Sequence, residues 1–168
     1  MRNPMAAARE PVLELDIQLV SDPSELPAGA DFETWIRAAL QGAALDKADT
    51  AADGAINLRL VGFEEGARLN STWRHKPGPT NVLAFPGPTA LPGLPIEYGD
   101  LVICLPVVAR EAAEQGKDTG RHLAHLVVHG TLHLLGYTHD QEADAAQMEA
   151  LETRILGGLG IPDPYVMT

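Results

Sequence analysis

One short run does most to limit what this chain can fold into. Asp100 to Leu105 reads DLVICL, and a strand that is apolar without alternation has to be covered on both faces. It belongs in the middle of a sheet, with other strands beside it and helices across it. The rest of the chain supplies both. Residues 12–20, VLELDIQLV, alternate Leu13, Leu15, Ile17 and Leu19 with more polar neighbours, the period of a half-buried strand. Asp31 caps the segment DFETWIRAALQGAAL, in which Phe32, Trp35, Ile36, Ala39 and Leu40 form one helical stripe. A strand over Ile56–Phe63 follows, parallel to the first and beside it because a helix fills the crossover.

Glu64–Trp73 reads as a short helix, Asn81–Phe85 as a brief strand between proline-rich turns, and GPTALPGLPIEYG as a loop ahead of DLVICL. Helices then run over Pro106–Gln115, from Asp118 or Thr119 to about Leu135, and from Asp140 to about Leu156. A chain of 168 residues that is 45% hydrophobic fills one core and falls short of two. The expectation is an α+β fold in a single domain over 12–168, a small four-stranded mixed sheet packed with about five helices, preceded by a flexible segment over 1–11.

Charge and composition narrow the function. A formal charge of −11 excludes a protein that coats nucleic acid by bulk electrostatics, since that needs clustered Lys and Arg. Any nucleic-acid site has to be local. Arg59, Arg68, Arg74 and Lys76 make one basic group, whereas Asp140, Glu142, Asp144, Glu149 and Glu152 make the C-terminal part acidic; composition alone reads both as solvated surface. The single cysteine, Cys104, sits inside the apolar run as a small buried hydrophobe. No stretch has the length or character of a membrane span or an export signal, so the expected location is the cytoplasm.

Five of the six histidines lie between 122 and 139. On a helix His122, His125, His129 and His133 share a face, and imidazoles one turn apart can reach a common metal. Two pairs qualify, His125 with His129 and His129 with His133. Three turns of one straight helix spread over about 12 Å, too far for a single ion with bonds of about 2 Å. Gly136 decides: it can take the left-handed conformation that ends a helix, and the returning chain carries His139 to the last turn. The ligand set chosen is His129, His133 and His139, with His122 and His125 as surface residues or supports of the ligands. The spacing HxxxHxxGxxH matches that of the metzincin metalloproteases, so a zincin-like arrangement is expected. Gly130, however, stands where those enzymes carry the glutamate base, which weakens a peptidase reading.

The motif HGTLHLLGYTH, with MEALE at 148–152, LNSTWRHKPGPTNVLAFP at 69–86 and GDLVIC at 99–104, resembles the YbeY endoribonucleases, the ribosomal RNA maturation factors, over residues 12–166. Two positions depart from the family pattern, Thr138 and Pro77, each an aspartate there; Asp140 is the candidate to orient His139 in place of Thr138. The resemblance implies one zinc ion per chain and cleavage of single-stranded RNA. It also implies a part in maturing the 3′ end of 16S ribosomal RNA, in ribosome assembly and quality control, with the small subunit and its assembly factors as partners. It further implies that Arg74 clamps the scissile phosphate. Lys76 and Arg59 would extend the groove more weakly. Trp73 is expected to pack in the core rather than to stack on a base. Two other readings stand beside this one: a ribosome assembly factor in which zinc only staples helices, and a metallopeptidase-like hydrolase.

Overall fold

The computed structural model describes residues 10–49 and 51–166; most of the expected flexible N-terminal segment lies outside them. Its sheet has the strand order β1-β2-β4-β3, with β1 at Leu13–Leu19, β2 at Gly54–Val61, β3 at Val82–Pro86 and β4 at Ile96–Cys104. Five α-helices accompany it: α1 (Phe32–Asp46), α2 (Phe63–Arg74), α3 (Leu105–Gln115), α4 (Thr119–Leu134) and α5 (Glu142–Gly158). β1 and β2 are parallel neighbours, as the helical crossover requires, β2 and β4 are parallel, and β3 runs antiparallel along β4.

The DLVICL run occupies an inner strand and meets two cores. On one face Leu101 and Ile103 pack with Leu58, with Trp35 and Ile36 of α1, and with Leu123 and Val127 of α4. On the other, Val102 and Cys104 pack with Val61, Leu83 and Val107 and with Leu69 of α2. A third cluster joins α1, α4 and α5 through Ala39, Val128, Leu132, Met148, Leu151 and Leu156. The buried Cys104 is a packing residue, as expected. β1 is an edge strand whose Leu13 and Leu15 pack on the core, whereas Ile17 and Leu19 are exposed.

Several boundaries differ from the sequence reading: β2 runs over Gly54–Val61, with Phe63 already in α2, Leu105 starts α3, and the largest change is at β4. β4 starts at Ile96, four residues before the expected Asp100, so IEYG belongs to the strand and not to the loop. A register shift hides it: Ala55 pairs with Glu97, but Ile56 pairs with Gly99. Gly99 has φ +128°, and a Cβ there would stand 2.1 Å from the Phe85 carbonyl oxygen. The bulge needs a glycine, and glycine beside a proline-rich run reads as a turn.

No helix among the described residues is long and apolar enough to cross a membrane. Asp31 and Asp118 cap α1 and α4 by accepting from Thr34 N at 3.2 Å and Arg121 N at 3.0 Å.

Candidate metal centre and cleft

α4 ends as its sequence dictates. Gly136 has φ +97°, its N–H donates to the His133 carbonyl at 3.0 Å, and the Tyr137 N–H donates to the Leu132 carbonyl at 3.1 Å. The chain thereby doubles back and sets His139 on the last helical turn. Its ring stacks on His129 with centroids 4.7 Å apart and meets His133 edge-on at 4.7 Å. One ring nitrogen from each of the three histidines lies within 4.8 Å of the others.

The outward nitrogens define the inward ones. The Tyr137 carbonyl, which can only accept, lies 2.9 Å from His133 Nδ1, so that nitrogen carries the hydrogen. His129 Nδ1–H donates to Glu152 Oε1. Each ring, when neutral, then presents a lone pair at Nε2, and the two Nε2 atoms face each other at 3.0 Å. Burial, reinforced by His129 and His139, lowers the His133 pKa to about 4, so at neutral pH this ring holds no second proton. Two facing lone pairs call for a cation between them. A proton serves two nitrogens, whereas a metal ion serves the third, from His139, as well. In a tetrahedral zinc site with bonds of about 2.0–2.1 Å, neighbouring nitrogens are about 3.3 Å apart, close to the separation here. The donor set therefore fits a divalent metal that favours imidazole.

Glu152 was missed by sequence reasoning, which placed it on an acidic surface. Its side chain is 0% exposed. It accepts from His129 through Oε1 and from His125 Nε2–H (3.0 Å) and the Tyr165 hydroxyl through Oε2. Burial alone would raise its pKa, but the hydrogen bonds from His125, His129 and Tyr165 outweigh it and hold the carboxyl at about 2. The signal was legible in principle: Met148, Leu151, Glu152 and Ile155 fall on one helical stripe, and a carboxylate among core residues needs a partner. His125, His129 and Glu152 could also be grouped as metal ligands. His125 and His129 each hydrogen-bond to Glu152, an arrangement in which Glu152 and His125 can support His129 instead. The expectation for His122 is corrected too. It is buried at 5% exposure and its Nε2–H donates to Glu111 at 3.0 Å, on the side of α4 that packs toward α3. Among the described residues no hydrogen bond joins Thr138 or Asp140 to the His139 ring, although both border the cleft.

A cleft of about 390 Å³ opens in front of the three histidines, and Arg74, Thr80 and Asn81 share its lining with them. Arg74 is the last residue of α2, and His75 closes that helix in the left-handed conformation at φ +57°. The Asn70 side chain secures the following turn by donating to the Gly78 carbonyl at 2.8 Å. Among the described residues no carboxylate pairs with Arg74. Glu65 is taken by Arg59 at 2.6 Å and Arg68 at 3.5 Å, and Arg59 also donates to Gln18 at 2.6 Å. Neither Arg59 nor Lys76 borders the cleft. Trp73 is not a core residue: it is 63% exposed and rests edge-on against Phe85 at 5.9 Å. It follows Gly66, Leu69 and Asn70, which already fill the contact between α2 and the sheet.

Gly130 sits between the two ligating turns of α4. A Cβ there would stand 2.9 Å from Leu101 Cδ2 and 3.1 Å from Val82 Cγ2. The helix lies so close to the strands that a side chain at this position would have to push the Leu101 and Val82 side-chain tips aside, and the chain carries glycine where the protease motif has its glutamate.

The family model for endoribonuclease YbeY matches residues 18–160. The chain belongs to this family. It is 50% identical over 156 residues to the endoribonuclease YbeY of Stutzerimonas stutzeri, covering 92% of each chain. It is 49% identical to that of Pseudomonas fluorescens, covering 92% of this chain and 97% of the relative. The solution structure of TM1509 from Thermotoga maritima shares the fold, with a TM-score of 0.52 at 22% identity over 92% of this chain and 99% of the other. Membership in the YbeY family places the described α+β fold and its histidine cluster among enzymes named for RNA cleavage.

Proposed function

We propose that the protein is a zinc-dependent, single-strand-specific endoribonuclease of the cytoplasm. It would act in 3′-end maturation of 16S ribosomal RNA and in ribosome assembly and quality control, on the assembling small subunit. The observation that carries this reading is the pair of Nε2 atoms facing each other at 3.0 Å, with a third imidazole beside them, in a cleft also lined by an arginine without an acid partner among the described residues. His129, His133 and His139 hold one zinc ion, which when bound supplies a Lewis acid for the phosphodiester and the attacking water. Arg74 binds the scissile phosphate through its planar fork and neutralises charge that builds on the non-bridging oxygens. Lys76, exposed two residues further on, extends the contact along the sugar–phosphate backbone, whereas the Arg59 guanidinium is committed to Glu65 and Gln18.

The test is Arg74→Ala. It should keep normal zinc content and thermal stability while losing roughly tenfold to thousandfold in single-turnover cleavage of single-stranded RNA, about 1.4–4 kcal/mol. Arg74→Lys should recover only part of the rate, because an ammonium lacks the bidentate geometry. Cleavage equal to wild type in Arg74→Ala would remove the clamp. A wild type that binds zinc and pre-ribosomal RNA without metal-dependent cleavage would favour a zinc-stapled assembly factor.

A further inference from the structure

Beyond α5 the chain turns at Gly160, with φ +77°, and returns as IPDPYV along α4. Two prolines, Pro162 and Pro164, restrict its backbone. Polar contacts fasten it on both sides: Asp163 Oδ1 accepts from the Tyr165 N–H at 2.8 Å and from the Thr153 hydroxyl at 3.3 Å, and Lys117 Nζ donates to the Pro164 carbonyl at 3.1 Å. The segment is built to deliver one side chain. The Tyr165 ring meets His125 edge-on at 5.4 Å, and its hydroxyl donates to Glu152 Oε2. The tyrosine as a whole is 44% exposed, yet its hydroxyl ends in a network whose central carboxylate is fully buried.

A carboxylate that accepts from three donors is fixed in rotation, whereas the terminal torsion of a glutamate with fewer partners is broad. Oε2 is shared by His125 and Tyr165, and this leaves Oε1 directed at His129 Nδ1–H. Holding the hydrogen on Nδ1 is what keeps the lone pair on Nε2, the nitrogen that faces His133 at 3.0 Å.

We propose that Tyr165 is a positioning residue for the metal centre: its hydroxyl orients Glu152, and Glu152 sets the tautomer and direction of His129. The proposal rests on the metal-centre reading above and extends it to a half-exposed residue of the C-terminal segment. Tyr165 touches neither ligand nor substrate, so its effect is smaller than that of Glu152 itself. Replacing a group that directly supports a ligand weakens metal binding by about 10–100-fold, and one contact further out should cost roughly threefold to tenfold.

Tyr165→Phe removes only the hydroxyl and leaves the ring against His125, so it tests the contact without emptying the site. Two measurements are made. Zinc transfer from the loaded protein to a chromophoric chelator should be threefold to tenfold faster in Tyr165→Phe than in wild type. In the metal-free protein, long-range ¹H–¹⁵N correlation spectra should show His129 in the Nδ1–H form for wild type and a mixture of tautomers for the variant. Val166→Ala alters the same tail without touching Glu152 and should match wild type in both. Zinc release and tautomer both unchanged in Tyr165→Phe would overturn the proposal. If wild type fails to bind zinc, the functional reading fails, and the tautomer comparison still decides the role of Tyr165.

Discussion

On one wall of the cleft, His129 and His133 each spend their outward nitrogen on a fixed acceptor, the Glu152 carboxylate and the Tyr137 carbonyl. Arg74, which lines the same cleft, ends a helix with no carboxylate partner among the described residues, although Arg59 and Arg68 both converge on Glu65. The contrast fits the two roles proposed above. Ligands to a small ion need nitrogens held in place before the ion arrives, because each ångström of play costs affinity. A cation that receives a phosphate needs the opposite, since a protein carboxylate in the same place would compete with the substrate. Burial follows the same division: Glu152 lies in the core, whereas Arg74 and its neighbours Trp73 and His75 are exposed.

The largest effect should come from dismantling the ordered wall. His133→Ala should abolish stoichiometric zinc binding and lower the thermal midpoint in the presence of zinc, since binding energy is coupled to folding; metal analysis and calorimetry with and without zinc check it. A variant that still carries one zinc per chain would show that the wall is ordered for another purpose.

Next in size is Gly130→Glu, which installs the protease base where the helix touches Leu101 and Val82. Overpacking together with a buried carboxylate should cost roughly 3 kcal/mol or more in urea unfolding. Unchanged stability would mean that the helix can stand off from the strand.

Arg59→Ala sharpens the difference between the two kinds of arginine. It breaks a part-buried, two-point pair with Glu65, so the expected loss is about 1 kcal/mol of stability, with RNA cleavage nearly unaffected. A cleavage defect as deep as that of Arg74→Ala would place Arg59 on the substrate path after all.

The smallest effect concerns pH. Burial lowers the His122 pKa, with His125 and Lys117 adding to it and Glu111 opposing. The folded state then binds fewer protons than the unfolded one, so this contribution is complete above the unfolded pKa of about 6.5 and is lost as pH falls below it. His122→Gln should flatten the decline of the thermal midpoint between pH 7 and pH 5, measured on metal-free protein. A slope as steep as that of wild type would assign the acid sensitivity elsewhere.

What the sequence disclosed follows the same division. His129, His133 and Gly136 were legible because one helix and one glycine relate them, and periodicity over so short a span survives any tertiary context. Leu101 to Leu105 announced their burial by apolar character alone. Glu152 was hidden because its partners lie on α4 and the C-terminal tail, 13 to 27 residues away, and a glutamate on an acidic helix gives no local sign of being inside. His122 misled for the converse reason: it shares the face of the ligands, but its partner Glu111 belongs to the preceding helix. Trp73 shows that size and hydrophobicity do not settle burial when a residue sits on the last turn of a helix, past the layer it covers.

Gly130 has one more consequence, for the way charge is handled in the cleft. Because position 130 of α4 carries no side chain, the helix backbone approaches Leu101 and Val82 closely, and Asn81, just ahead of β3, lines the same cleft as the histidines and Arg74. A helix bearing a carboxylate at position 130 would have to displace the Leu101 and Val82 side-chain tips or withdraw from the strand. One missing Cβ thus bears on two designs for the same three imidazoles, an anionic base carried by the helix or, as proposed above, a cationic receptor supplied by Arg74, and at position 130 the base finds no room unless its neighbours shift.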